Sequence, residues 1–299
     1  MQGTVDGFSH GLVTPVAAYL MACLGAALGL RCTTRSLCHL DTFRAGWLAL
    51  GATSLGTGIW STHFIAMMGF SVRQVPVGYD RPLTFASLGV AVLMAGVGIS
   101  IVGCRGATPL PLITGGTITG LGIATMHYLG MAGLRLHGRV EYDSLTVALS
   151  VAIAVVAATG ALWTAVSGRG FLAGLGASMM LGIGVSGMHY TAMAAVDVHL
   201  ADSALFEGDG GAATAPLLQM LIGPAVFLLL AAVVVLFDPL LVMGEPDRRE
   251  PVPPGSGRPG VPAPRRASSY GEPANWSARP AGRGPRRGGA RGAHRSRGW

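Results

Sequence analysis

The 299-residue chain contains no lysine, and all charged residues together make up only 12% of it. A soluble globular domain carries roughly twice that share, so a water-facing surface over most of the chain is excluded. Cysteine is scarce too: Cys23, Cys32, Cys38 and Cys104 include no Cys-x-x-Cys pair, which excludes a zinc ribbon and a disulfide framework. No basic residue precedes the first apolar run near Phe8. That run is also too long for a signal-peptide core, so it reads as a retained helix. Charge is unevenly placed, with 12 of the 21 arginines and 4 of the 14 acids in residues 245–299. The high pI of about 9.8 is therefore a property of the tail and does not point to nucleic acid.

What the chain has in abundance is apolar sequence, 51% hydrophobic with a mean hydropathy of +0.52. Crossing about 30 Å of hydrocarbon takes roughly 20 apolar residues, and seven runs meet that length: 10–30, 46–70, 83–104, 110–134, 145–166, 171–196 and 217–242. None shows the alternation of a barrel strand, and only helices then satisfy their backbone within lipid. The expected fold is all-α, a polytopic membrane protein of seven transmembrane helices over residues 1–243. Pro15 and Pro224 are expected to kink their helices. Residues 244–299, rich in Arg, Gly and Pro, cannot bury a core and read as a disordered tail.

Three segments repeat one another: Ser61-Thr62-His63-Phe64-Ile65-Ala66-Met67, Thr125-Met126-His127-Tyr128-Leu129-Gly130-Met131 and Gly187-Met188-His189-Tyr190-Thr191-Ala192-Met193. Each has a histidine, an aromatic residue after it and a methionine four residues on. The histidines are 64 and 62 residues apart, and behind each stands a Gly-x-Gly pair, Gly56/Gly58, Gly120/Gly122 and Gly182/Gly184. Tyr79-Asp80 and Tyr142-Asp143 form a second echo, each followed seven residues after its aspartate by Ser87 or Ser150. The spacing predicts three two-helix repeats plus one extra helix. Two helices return the chain to the side it left, so the three histidines share one depth, about 10 Å from the rim. His10, at the start of the first helix, can join them. Positive-inside counting on Arg31, Arg35, Arg44, Arg105, Arg169 and the tail puts the N-terminus outside and the C-terminus in the cytoplasm.

On a helix a residue at +4 lies about 40° from its partner and one turn on, so Met67, Met131 and Met193 reach the same region as His63, His127 and His189. Met126 and Met188 flank the other side. Thioether and imidazole together suit a soft or borderline transition metal, copper above all, and the set suffices for one or two ions. A single buried histidine is more often hydrogen-bonded core, but ionisable groups inside a membrane are costly and tend to be functional. Methionine alone is commonly a gap-filler. Tyr128, Tyr190 and Phe64 belong either to the site or to the interfacial aromatic belt. Asp80 and Asp143 either orient ligand histidines from a second shell or cap helix starts. The glycines read as close-packing positions between membrane helices, and His137 and His199 as residues of the outer connections.

The segments around Met188-His189-Tyr190-Thr191, Met126-His127-Tyr128-Leu129 and Thr62-His63-Phe64-Ile65 resemble the MHYT family of bacterial integral membrane sensors, and the likeness covers about residues 8–243. The resemblance implies a plasma-membrane signalling domain that binds copper near the outer face and senses a diatomic gas, O2, CO or NO. It implies His63, Met67, Met126, His127, Met131, Met188, His189 and Met193 as ligands, with His10 at the family's N-terminal histidine position. Thr62 stands where the first copy would carry methionine. Relatives are often fused to diguanylate cyclase or phosphodiesterase domains. No catalytic output domain is recognised here, so the chain is expected to be no enzyme, and its partners are the bilayer, the gas and an unidentified cytoplasmic signalling protein. Rival readings are a haem-binding membrane oxidoreductase with paired axial histidines and a metal transporter, which requires a polar path inward.

Overall fold

The computed structural model describes residues 5–6, 11–38, 43–72, 77–106, 108–136, 138–167, 170–200 and 214–237. His10, His137 and the tail lie outside these. Seven helices are found among the described residues: α1 Val13–Cys38, α2 Phe43–Met67, α3 Arg81–Arg105, α4 Pro109–Ala132, α5 Ser144–Ser167, α6 Phe171–Ala194 and α7 Thr214–Leu236. The shortest has 23 residues and the longest 26, about 35–39 Å at the helical rise and enough to cross the hydrocarbon core. The fold is all-α and polytopic. Pro224 lies inside α7, whereas Pro15 falls in the first turn of α1, which starts at Val13. A proline in the first turn displaces no helical hydrogen bond, so no kink is required there.

Five helices are apolar enough to span a membrane on composition alone: α1, α3, α5, α6 and α7. The two that fall short, α2 and α4, are rich in Gly, Ser and Thr and each carries a motif histidine. They are also the most enclosed. Residues 54–67 of α2 are all buried, and α4 buries residues from Pro111 to Met131 along its length. A helix screened from lipid by its neighbours does not need an apolar surface.

Helices α1 and α2, α3 and α4, and α5 and α6 pack as pairs. Successive pairs meet through α2 with α3 and α4 with α5, and α6 returns to α1, so six helices close a ring. The seventh helix rests outside it on α2 and α1. The Gly-x-Gly pairs explain how the ring closes. A Cβ on Gly56, Gly120 or Gly182 would fall within 2.6 Å of Val92 Cα, Val155 Cα and Cys23 Sγ respectively. These three neighbours lie on α3, α5 and α1, each the first helix of the next repeat. The second glycine of each pair faces its own repeat: Gly58 meets Gly25 of α1, Gly122 meets Met94 of α3, and Gly184 meets Ala157 of α5. One glycine therefore serves the seam within a repeat and the other the seam between repeats.

The repeats also carry strands. β1 Val5–Asp6 pairs antiparallel with β2 Ser71–Val72, β3 Gly78–Tyr79 with β4 Leu134–Arg135, and β5 Gly138–Tyr142 with β6 Val196–Leu200. In every case the strand before a repeat's first helix pairs with the strand after its second. The unit is thus strand-helix-helix-strand, and all three ribbons lie at the end of the bundle where α2, α4 and α6 finish. Asp80 N–H donates to Gly133 O at 2.8 Å and Asp143 N–H to Ala195 O at 3.0 Å, equivalent bonds in the second and third repeats. His199 lies in β6, with its ring 3.6 Å from the Glu141 carboxylate on the exposed face of the ribbon.

Candidate metal centre

Each motif histidine sits seven residues beyond the glycine that brings its helix against the next repeat. On a helix those two positions share a face, so closing the ring turns all three imidazoles inward. His63, His127 and His189 are all buried, and their ligating nitrogens lie within 4.8 Å of one another. The Nδ1 atoms form a nearly equilateral triangle. His63 to His189 is 3.1 Å, His127 to His63 is 3.1 Å, and His189 to His127 is 3.3 Å. The ring planes stand at 82°, 72° and 82° to one another, edge to face.

This triangle cannot satisfy itself. Each Nδ1 is either a donor or an acceptor, and with two kinds of atom on three corners at least one edge joins like to like. With the ring protons on Nε2, all three lone pairs converge on one point. Nε2 of His63 and of His127 is buried without a hydrogen-bond partner, so no neighbour fixes another tautomer. A cation at the point of convergence resolves the conflict. Three nitrogens bound at about 2.0–2.1 Å in a tetrahedral set stand about 3.3 Å apart, close to the spacing found. The donors therefore fit a transition-metal ion with a further position left open.

Two more layers follow from the helical repeat. Four residues before the histidines stand Ile59, Ile123 and Val185, all buried, forming an aliphatic floor one turn below. Four residues after stand Met67 and Met131, buried, and Met193, partly buried, one turn toward the ribbons. Met126 and Met188 are also buried. Their counterpart Thr62 shares its hydroxyl between Gly58 O of its own helix at 2.8 Å and Ala18 O on α1 at 3.1 Å, so this position on α2 faces the partner helix of its own repeat. By the same phase Met126 and Met188 face α3 and α5.

The aromatic residue after each histidine stands perpendicular to it: Phe64 at 80°, Tyr128 at 87° and Tyr190 at 84°. The Tyr-Asp echo divides its work. Tyr79 packs edge-on against Phe64, and Tyr142 against Tyr128. Burial raises the phenol pKa of both. Asp80 caps α3 by accepting from Leu83 N–H at 3.1 Å and pairs with Arg135. Asp143 caps α5 by accepting from Thr146 N–H at 2.8 Å. The capping alternative holds for both aspartates. Neither carboxylate bonds a motif histidine, because each sits at the start of its helix while the imidazoles lie deeper. The serines of that echo take up side chains of the motif helices: Trp60 Nε1–H donates to Ser87 Oγ at 3.1 Å and to Thr84 O at 3.0 Å, and Tyr128 and Ser150 share a hydroxyl hydrogen bond of 2.7 Å. The sequence reading missed Trp60 and the aliphatic floor, although the floor follows the same 64- and 62-residue spacing.

A closed ring of membrane helices with three imidazoles meeting inside defines a polytopic membrane protein with a tri-histidine centre. The family described as the bacterial signalling protein N-terminal repeat, MHYT, matches residues 56–115 and 120–178. The chain thus carries two tandem segments that match the MHYT repeat. The matched segments contain His63 and His127; the copy around His189 lies beyond them and is joined to them by the geometry. Among similar proteins are the bifunctional diguanylate cyclase/cyclic di-GMP phosphodiesterase MucR of Pseudomonas aeruginosa, 42% identical over 52% of this chain and 23% of its own length, and the cyclic di-GMP phosphodiesterase NbdA of the same organism, 36% identical over 60% and 23%. The signaling protein YkoW of Bacillus subtilis is 31% identical over 60% and 23%. The chain thus spans less than a quarter of the length of these relatives. No solved structure matches it.

Proposed function

We propose that this MHYT sensor domain holds one copper ion on Nδ1 of His63, His127 and His189, with Met67, Met131 and Met193 offering thioethers from the ribbon side. The observation that carries this reading is the triangle of imidazole nitrogens 3.1–3.3 Å apart, unable to satisfy its own hydrogen bonding. Methionine near imidazole favours copper over zinc, since thioether is a soft ligand. When bound, copper supplies a redox-active centre with an open position for a diatomic ligand such as O2, CO or NO. The chain's own part is mechanical. The imidazoles tie α2, α4 and α6 to one point, the glycine seams transmit small displacements of those helices to α1, α3 and α5, and α7 rests on α2 and α1. Ligand or redox change acts as a signal to the extent that two packings of these seams hold the centre with different affinity.

On this reading the chain is a sensor and not a catalyst. It sits in the bacterial plasma membrane with the ribbon end outward, since Arg31, Arg35, Arg44 and Arg105 at the opposite end outnumber Arg81, Arg135 and Arg139 at the ribbon end among the described residues, and it hands its signal to a cytoplasmic partner. The names of MucR and NbdA suggest cyclic di-GMP turnover as the class of output. A transporter is disfavoured by Ile59, Ile123 and Val185, buried aliphatic residues one turn below the histidines where a polar path would be needed. A haem between two axial imidazoles needs a planar slot, whereas three rings stand here 4.8–5.1 Å apart between centroids.

The test is elemental analysis by inductively coupled plasma mass spectrometry of the purified protein against His127→Ala plus His189→Ala. About one copper per chain in the wild type and loss in the double variant is expected. Equal copper in both would remove the site, and a Soret band in the wild type would favour haem.

A further inference from the structure

A groove of about 640 Å³ runs between α2 and α3 on the outside of the ring. Its cause is visible when the repeats are superimposed on their histidines and capping aspartates. At the equivalent α4–α5 seam stand Ile113, Thr159 and Trp163; at α2–α3 the same places hold Ala49, Gly96 and Ser100. Thr159 lies directly against Gly116, whereas a Cβ on Gly96 would meet only Ala52 at 3.2 Å. Ile, Thr and Trp have thus given way to Ala, Gly and Ser along one line, offset only by Ala52 in the place of Gly116, and the groove is the space they leave.

Its length and chemistry identify an occupant. Val92, at the middle of α3, and Arg105, its last residue, both line the groove. Thirteen residues of helix cover about 20 Å, the depth of one leaflet from the bilayer midplane to its headgroups. The walls are apolar, and Arg105 stands exposed at the headgroup end with no carboxylate partner among the described residues. An arginine fork is well suited to a phosphate. We propose that this groove is a binding site for one anionic phospholipid, an acyl chain lying along Ala49, Gly96 and Ser100 and the phosphate paired with Arg105.

Native mass spectrometry of the full chain, purified in mild detergent and supplied with equal phosphatidylglycerol and phosphatidylcholine, reads both features. The wild type is expected to retain about one phospholipid, chiefly phosphatidylglycerol. Ala49→Ile plus Ser100→Trp copies side chains that the neighbouring seam already accommodates and should abolish retention with the melting temperature unchanged. Arg105→Gln, at an exposed position, should keep the lipid but lose the preference for the anionic headgroup several-fold. Equal lipid load and equal headgroup preference in all three proteins would overturn the proposal.

Discussion

His63 lies against the backbone of Gly130, where an added Cβ would stand 2.7 Å from Nε2. The first and third repeats carry alanine at the matching positions, Ala66 and Ala192, so this contact is particular to the meeting of α4 with α2. Under the copper proposal, Gly130→Ala should turn the His63 ring and weaken metal binding by about 10–100-fold, the usual scale for residues that orient a ligand. Competition against a chelator of known affinity measures this, with helical circular dichroism unchanged.

Trp60 spans from α2 to α3 through one indole N–H directed at Thr84 O and Ser87 Oγ. Trp60→Phe removes that donor and a ring's worth of packing in a fully buried place. The expected cost is about 2–4 kcal/mol of unfolding free energy. Tyr128→Phe, which loses only its hydroxyl bond to Ser150, should cost about 1 kcal/mol. Chemical denaturation in detergent distinguishes the two.

Alanine at Gly56, Gly120 or Gly182 forces a methyl against the next repeat and should destabilise by about 1–3 kcal/mol or more. Gly89→Ala on α3 is the contrasting case. Nothing lies within 4 Å of a Cβ there, so the change should be neutral or stabilise by roughly 0.5–1 kcal/mol through the helix preference of alanine. Equal effects at Gly56 and Gly89 would contradict the close seam.

Arg135, and after it the Leu83 N–H, hold the Asp80 carboxyl below the ordinary carboxylate range. A depressed value stabilises the fold above that range, and the contribution is lost as pH falls through the lowered pKa. Asp80→Asn should therefore lower the melting temperature at neutral pH by no more than about 2–3 °C, since the pair is partly exposed. The difference from wild type should vanish in acid, and added salt should shrink it. Asp143 is held low by Thr146, so Thr146→Val should raise its pKa.

All seven helices were legible because each is a long, largely apolar run, and the centre was legible because one histidine per repeat must fall at one depth. The composition of α2 and α4 reads as weak membrane sequence, yet those helices face protein. The shorter ribbons were not legible: Gly78–Tyr79 and Leu134–Arg135 are two residues each, too short for alternation to register, whereas Val196–Leu200 does alternate but falls where the sequence reads as an outer connection. They pair because helix ends meet in space. The roles of Asp80 and Asp143 stayed open in the sequence because an aspartate before a helix fits both a cap and a ligand's partner. The α2–α3 groove is invisible until those helices are known to be neighbours.

The return of α6 to α1 fixes the number of repeats. An open solenoid tolerates one unit more or fewer, because only its caps must be kept. A closed rosette does not. With two units the bundle would face lipid with unmatched glycine seams and hold only a bidentate chelate; with four, the wider bore would carry the imidazoles beyond one ion's reach. The meeting of three imidazoles thus guards the copy number, and duplication of a single unit inside this gene should yield a protein that neither seals nor brings its histidines together.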